Sequence, residues 1–217
     1  MRWWPASPVA LFVASLFVPV LACASPVRFG VALGPSFATL ATSTRSSYVE
    51  SFTSVTGEIA MRVPIASAFD VQAGIDYAVK GFSLGRSDLT DGNGVVAGTF
   101  TTHLALTHLE VPLLLRWNPV RNAVVEPFLV AGPFVSAELD EAYHHIGAGG
   151  VLPARVNTHQ YPNVDFGLAG GAGVRTKLGP GWLSLAARYD AGLKNLWPDA
   201  PTTAHSRFTA LTLGYER

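Results

Sequence analysis

Cysteine is almost missing from this sequence: the one thiol, Cys23, lies close to the N-terminus, so the chain has no partner for an intrachain disulfide and no CxxC motif for metal or redox work. Charge is thin as well. Asp, Glu, Lys and Arg make up 14% of the residues, against roughly 25% in soluble globular domains. The 15 basic and 15 acidic side chains cancel and form no basic cluster, which argues against nucleic-acid binding. Long apolar runs are lacking beyond the N-terminus, so no later segment reaches the roughly 18 residues a membrane-spanning helix needs. There is also no G-x-S-x-G elbow and no phosphate-cradling glycine loop leading into a helix.

What is present is apolar content in dispersed form. Hydrophobic residues are 49% of the chain, punctuated by 21 glycines and 15 prolines. Alternation along strands disperses apolar residues in this way when one face meets lipid.

The N-terminus reads as an export signal. Arg2 precedes a stretch from Val9 to Ala24 that is apolar apart from Ser15, and Ala22-Cys23-Ala24 has the form of an A-x-A cleavage site. Residues 1–24 are therefore expected to be a Sec signal peptide and residues 25–217 the mature domain. Val20-Leu21-Ala22-Cys23 also loosely resembles a lipoprotein signal, which would make a lipidated Cys23 the first residue.

The mature chain shows period-2 patterning and no convincing helical period. Eight strands are predicted, over 27–40, 52–65, 69–84, 102–117, 124–139, 164–178, 182–193 and 207–215. The connections alternate in length. Residues 66–68, 118–123 and 179–181 are short turns, while 41–51, 85–101, 140–163 and 194–206 are long loops. Transmembrane barrels have short periplasmic turns and longer outer loops, and a chain entering from the periplasm with eight strands shows this order. The fold class expected is all-β, an eight-stranded antiparallel up-and-down transmembrane β-barrel in a bacterial outer membrane.

Parity sorts each strand into an oily face and a polar or small one. Val71, Ala73, Ile75, Tyr77 and Val79 oppose Gln72, Gly74, Asp76, Ala78 and Lys80. Leu109, Val111, Leu113, Leu115 and Trp117 oppose His108, Glu110, Pro112 and Arg116, with Leu114 out of pattern. Across the strands the polar faces hold Arg28, Glu58, Arg62, Asp76, Lys80, Glu110, Arg116, Glu126, Asp165, Arg175, Arg188 and Asp190. Six acids and six bases suit a narrow lumen in which opposite charges pair. Gly30, Gly74, Gly167, Gly171, Gly173 and Ala186 on the same faces relieve crowding in a barrel that side chains fill, so the interior is expected to be plugged. Phe29, Phe82, Trp117, Trp182 and Tyr215, near strand ends, suit interfacial girdles or ordinary strand packing.

Four segments, in order, resemble the PorT-like outer-membrane β-barrel family. They are Leu109-Glu110-Val111-Pro112-Leu113-Leu114-Leu115, Pro127-Phe128-Leu129-Val130-Ala131-Gly132-Pro133, Asp165-Phe166-Gly167-Leu168-Ala169-Gly170-Gly171-Ala172-Gly173, and Ala187-Arg188-Tyr189-Asp190-Ala191-Gly192-Leu193-Lys194-Asn195-Leu196. The chain departs from the pattern at its end, Tyr215-Glu216-Arg217, where the aromatic sits two residues early. The resemblance implies fold and location, and a few such proteins assist secretion across the envelope. It assigns no catalytic residue.

Other chemistry reads weakly. Asp140, Glu141, His144, His145 and His159 fall in or near one long loop, but their spacing fits no metal pattern, and solvated loop residues are the plainer reading. Asp88-Leu89-Thr90-Asp91-Gly92-Asn93-Gly94 lacks the terminal bidentate Glu of a calcium loop. His103, His108 and Glu110 raise a lipid-modifying enzyme, yet no Ser and His share a face at suitable spacing on one strand.

The expectation is a structural or surface-interaction barrel with a closed lumen, no catalysis, no cofactor and no metal. Its partners would be outer-membrane lipid, lipopolysaccharide and a surface or secretion component, without nucleic acid. The alternatives are an outer-membrane lipid-modifying enzyme, an accessory barrel of a secretion system, and a soluble ligand-binding barrel. The intact mass of the protein extracted from outer membranes should correspond to a chain beginning at Ser25; a mass beginning at a diacylated Cys23 would replace cleavage after Ala24 with lipidation.

Overall fold

The computed structural model describes residues 27–43, 49–90, 96–147, 150–154, 164–196 and 202–217. The expected signal peptide, Cys23 and the cleavage site lie outside the described residues, as do His159 and the 91–95 loop tip.

Eight long strands build the molecule: β1 (Arg28–Thr42), β2 (Phe52–Pro64), β3 (Phe69–Thr90), β4 (Val96–Trp117), β5 (Val125–Gly147), β6 (Val164–Leu178), β7 (Gly181–Gly192) and β8 (Ala204–Glu216). Each pairs antiparallel with its chain neighbours, and β1 pairs with β8 to close the ring. Two short strands, Val49–Glu50 and Gly150–Ala154, extend the outer edges of β3 and β5. Closure leaves no unpaired edge inside the bilayer, where exposed backbone N–H and C=O groups would go unsatisfied.

The ring is sheared. One way round, register partners run Ala32–Gly214–Ser184–Arg175–Glu126; the other way they run Ala32–Glu58–Asp76–Glu110–Ser136. Both paths end on β5, ten residues apart. This stagger goes with the strand tilt of roughly 35–45° found in transmembrane barrels.

Facing follows the parity read from sequence. Phe29, Val31, Leu33, Ile59, Ile75, Leu113, Leu115, Leu129, Leu168, Leu185 and Leu213 are exposed on the outside. Asp76, Lys80, Glu110, Arg116, Glu126, Asp165, Arg175 and Asp190 are buried around the axis. A soluble barrel would have this arrangement reversed. Apolar surface on such a scale needs lipid to cover it. Leu114, out of pattern in sequence, is buried inside with the polar face.

Three expectations are corrected. Residues 85–101 and much of 140–163 are not open loops: β3 and β4 continue their ladder to Thr90 and Val96, and β5 runs to Gly147. Outside the bilayer a strand needs no oily face, so its Ser-, Thr- and Gly-rich sequence reads as loop while backbone pairing persists. Phe82 is buried inside, and Trp182 shares the inward face of β7 with Ser184 and Arg188, so neither joins an outer girdle. At Leu139 a bulge breaks the β4–β5 register between the Thr107–Asp140 and His108–Glu138 pairs. Parity flips there, so Phe134 and Ser136 point in before it and Glu141 is buried after it.

Ile59 is 66% exposed at mid-strand. Ile59→Arg should cost about 2–4 kcal/mol in urea unfolding from lipid vesicles. Val124, 85% exposed beside a short turn, should tolerate Arg at a cost under about 1 kcal/mol.

Candidate functional site in the barrel lumen

The lumen is filled by side chains, and their order is set by which strand supplies them. Near the periplasmic ends lies a base-rich layer. Arg175 donates from Nε and Nη2 to Glu126 Oε2 (2.9 and 2.7 Å) and from Nη1 to Glu216 Oε1 (3.0 Å). Arg62 Nη1 also donates to Glu216. Arg116 Nε donates to Asn118 Oδ1 (3.1 Å), and Asn118 Nδ2 donates to Asp70 Oδ2 (2.8 Å). Arg121, from the short turn, donates to Asp70 Oδ1 (3.0 Å). Arg28 is half-buried at the same end.

Further out comes an acid-rich layer centred on Arg188. Its guanidinium lies 2.6 Å from Asp76, 3.1 Å from Asp190, 3.2 Å from Glu110 and 3.8 Å from Glu58. Glu110, fully buried, accepts from Lys80 Nζ as well (2.6 Å). Gln72 joins the layers, accepting from Arg62 Nη2 (3.1 Å) and donating to Glu58 Oε1 (2.6 Å).

Aromatic rings on β5 brace both layers. The Arg116 guanidinium stacks 3.4 Å above the Phe128 ring, and Lys80 Nζ lies 4.4 Å from the centre of Phe134. β6 makes room for these rings with glycine: a Cβ on Gly173 would collide with Phe128, and one on Gly167 with Phe134. Leu114, Val130 and Ala169 complete this apolar column. Toward the outside, Ala38, Ala78, Phe208 and Ala210 pack together, and Phe82, Leu104 and Leu106 pack against Leu40 above them.

Of the twelve residues expected to line the lumen, Arg28, Glu58 and Arg188 are half-buried and the other nine are buried. Asp165 stands apart from the Arg188 layer and accepts from the Ser206 hydroxyl (2.6 Å). The equal tally of acids and bases hides a segregation, with bases gathered at one end and carboxylates at mid-height. Sequence reasoning missed Asp70, Asn118 and Glu216. Asp70 and Glu216 sit on the inward parity of β3 and β8, so extending those faces by one step would have found them.

The loop chemistry is not assembled. Asp140 is exposed and Glu141 buried, while the side chains of His144 and His145 lie outside the described residues. No group of metal-ligating residues occurs among the described residues. Of the calcium-loop candidate, the backbone of Asp88, Leu89 and Thr90 continues β3, and the rest lies outside the described residues. The His103 ring lies 6.2 Å from that of Phe52.

An oily exterior, a charged interior and a closed ring of eight strands define a small outer-membrane β-barrel. The chain belongs to the outer membrane protein beta-barrel domain family, whose model matches residues 19–197, and it resides in the bacterial outer membrane. No curated protein matches the chain. Among solved structures it is similar to the outer membrane protein OprG from Pseudomonas aeruginosa at 14% identity, over 89% of this chain and 97% of that one, with a TM-score of 0.46. Neisserial surface protein A is similar at 15% identity, over 87% and 95%, with a TM-score of 0.44. The attachment invasion locus protein Ail of Yersinia pestis is similar at 12% identity, over 88% and 99%, with a TM-score of 0.41. At these identities the likeness carries neither a ligand nor a partner to this chain.

Arg188→Met should destabilise the folded barrel by about 3–5 kcal/mol, because it strands buried carboxylates without their cation. Adding Glu110→Gln and Asp190→Asn to that variant should recover much of the loss in the urea midpoint.

Proposed function

We propose that this barrel is a non-catalytic membrane anchor with a lumen closed to solutes, and that its work lies in the sheet it raises above the outer leaflet. The observation that carries this reading is strand length. β3, β4 and β5 are 22, 22 and 23 residues long, whereas β7 has 12 and β8 has 13. A tilted strand crosses the bilayer in about 9–11 residues. Because the short turns mark the periplasmic side, roughly half of each long strand stands outside the lipid on the cell exterior. There it meets lipopolysaccharide and a surface or secretion partner.

The interior supports the closed, inert reading. Ion pairs fill the periplasmic half, and the Phe82, Leu104 and Leu106 cluster caps the outer half. The buried Ser206 hydroxyl donates to Asp165 rather than to a histidine, and His108 Nδ1 lies 3.1 Å from the Leu106 carbonyl oxygen.

In planar bilayers the purified protein should give no conductance steps, and its expression in a host should leave the lipid A mass profile unchanged. Stepwise currents would refute the closed lumen; a new lipid mass would refute the non-catalytic role. Replacing 85–101 by an Asn-Gly turn should preserve a heat-modifiable barrel within about 1 kcal/mol of the parent, because that backbone lies beyond the lipid-covered belt.

A further inference from the structure

Open charge at the periplasmic end is all of one sign. Among the described residues there, the side-chain carboxylates are Asp70, Glu126 and Glu216, and each is buried and held. Asp70 accepts from Asn118 and Arg121, Glu126 from Arg175, and Glu216 from Arg62 and Arg175. The ionised side chains left exposed or half-buried are Arg28, Arg121, Lys177 and Arg217, all cations. Three of them share one arc of the rim. Lys177 on β6 stands opposite Trp182 on β7, and Trp182 opposite Glu216 on β8. Arg217 follows Glu216, and its backbone N–H and C=O both pair with Phe29 on β1, the residue after Arg28.

Arg217 is exposed and continues the outward parity of Leu213 and Tyr215, so it stands at the foot of the oily belt. Its surroundings on that face are apolar and exposed: Phe29 opposite, Tyr215 two residues along the strand, and Leu178, whose carbonyl oxygen accepts from the Tyr215 hydroxyl at 3.5 Å. The neighbouring turns add exposed Ile65, Val120 and Val124. Cations set beside apolar surface at the margin of the belt lie at the depth of lipid headgroups, where a long basic side chain rests its stem on apolar groups and gives its charge to phosphate. A soluble acidic partner would leave that apolar surface uncovered. Sign then selects the headgroup. With no exposed carboxylate at this end to receive an ammonium, a zwitterionic lipid gains less than one whose sole charge is its phosphate. We propose that Arg28, Lys177 and Arg217 form a docking arc for an anionic phospholipid of the inner leaflet, the cations taking its phosphate and Phe29, Tyr215 and Leu178 its chains.

The test uses the full barrel in neutral detergent micelles, offered equal amounts of phosphatidylglycerol and phosphatidylcholine with the same acyl chains, and counts bound lipid by native mass spectrometry. Phosphatidylglycerol should be retained about fivefold more, the ratio that one cation near an anionic headgroup supplies. Lys177→Gln combined with Arg217→Gln should bring the ratio below about twofold while the barrel stays heat-modifiable. Lys194→Gln combined with Arg207→Gln removes the same charge from the outer ends of β7 and β8 and should leave the ratio unchanged. Lys177→Gln alone, at an exposed side chain without a structural contact, should cut the ratio to about half and guards against misfolding of the double variant. Equal retention of the two lipids by the parent would overturn the proposal. So would a preference that survives the periplasmic substitutions or one that vanishes with the outer pair. Saturable binding of a soluble polyglutamate peptide that Lys177→Gln with Arg217→Gln abolishes, without any lipid preference, would overturn it in favour of a soluble acidic partner.

Discussion

Lipid offers ionised groups no solvation, and that constraint organises the whole molecule. Every charge within the spanning part of a strand must turn toward the axis, and an eight-stranded ring leaves little room there. The charges therefore meet one another. Arg188 is the hub of this enforced meeting, within 4 Å of carboxylates from β2, β3 and β4 as well as its own strand. Such pairs add little net stability over well-packed apolar residues, yet breaking one leaves an uncompensated charge. Their value is register: the Arg188 contacts hold only if β2, β3, β4 and β7 stand at their observed heights.

Crowding explains the rest of the interior. Glycines on β6 yield space to aromatic rings from β5, and the rings in turn lie against Arg116 and Lys80. At the height of the ion pairs the apolar bulk comes from β4, β5 and β6, and alanines and a threonine on β1, β2, β7 and β8 face it across a small cavity. Packing and electrostatics are not separate here, because the rings that fill the space also support the cations.

Strand identity and facing were legible in the sequence because parity is a local property. Ile75 and Leu115 alternate with Asp76 and Arg116 whatever their neighbours do, and the structure keeps that alternation. The lumen residues followed from the same rule. What parity could not supply was pairing across strands. Nothing in the sequence sends Glu110 to both Lys80 and Arg188, because those contacts depend on the ten-residue stagger of the ring. Asp70, Asn118 and Glu216 were missed because strand ends and turns look solvated in sequence. The outward continuation of β3, β4 and β5 was missed because the oily face stops where the lipid stops, while the backbone ladder does not. The bulge at Leu139 carries no local signal beyond a loss of alternation.

Glu216, at the end of β8, binds Arg62 on β2 across β1 and Arg175 on β6 across β7. The Arg62 contact crosses the β1–β8 seam and exists only once the cylinder has shut, whereas the Arg175 contact lies within the β6–β7–β8 sheet. During biogenesis this carboxylate is therefore a witness to completion. While the seam is open, the Arg62 guanidinium faces a wet cleft; when the seam joins, it trades that water for Glu216. The β8 strand thus fastens a joint that β1 to β7 cannot secure alone.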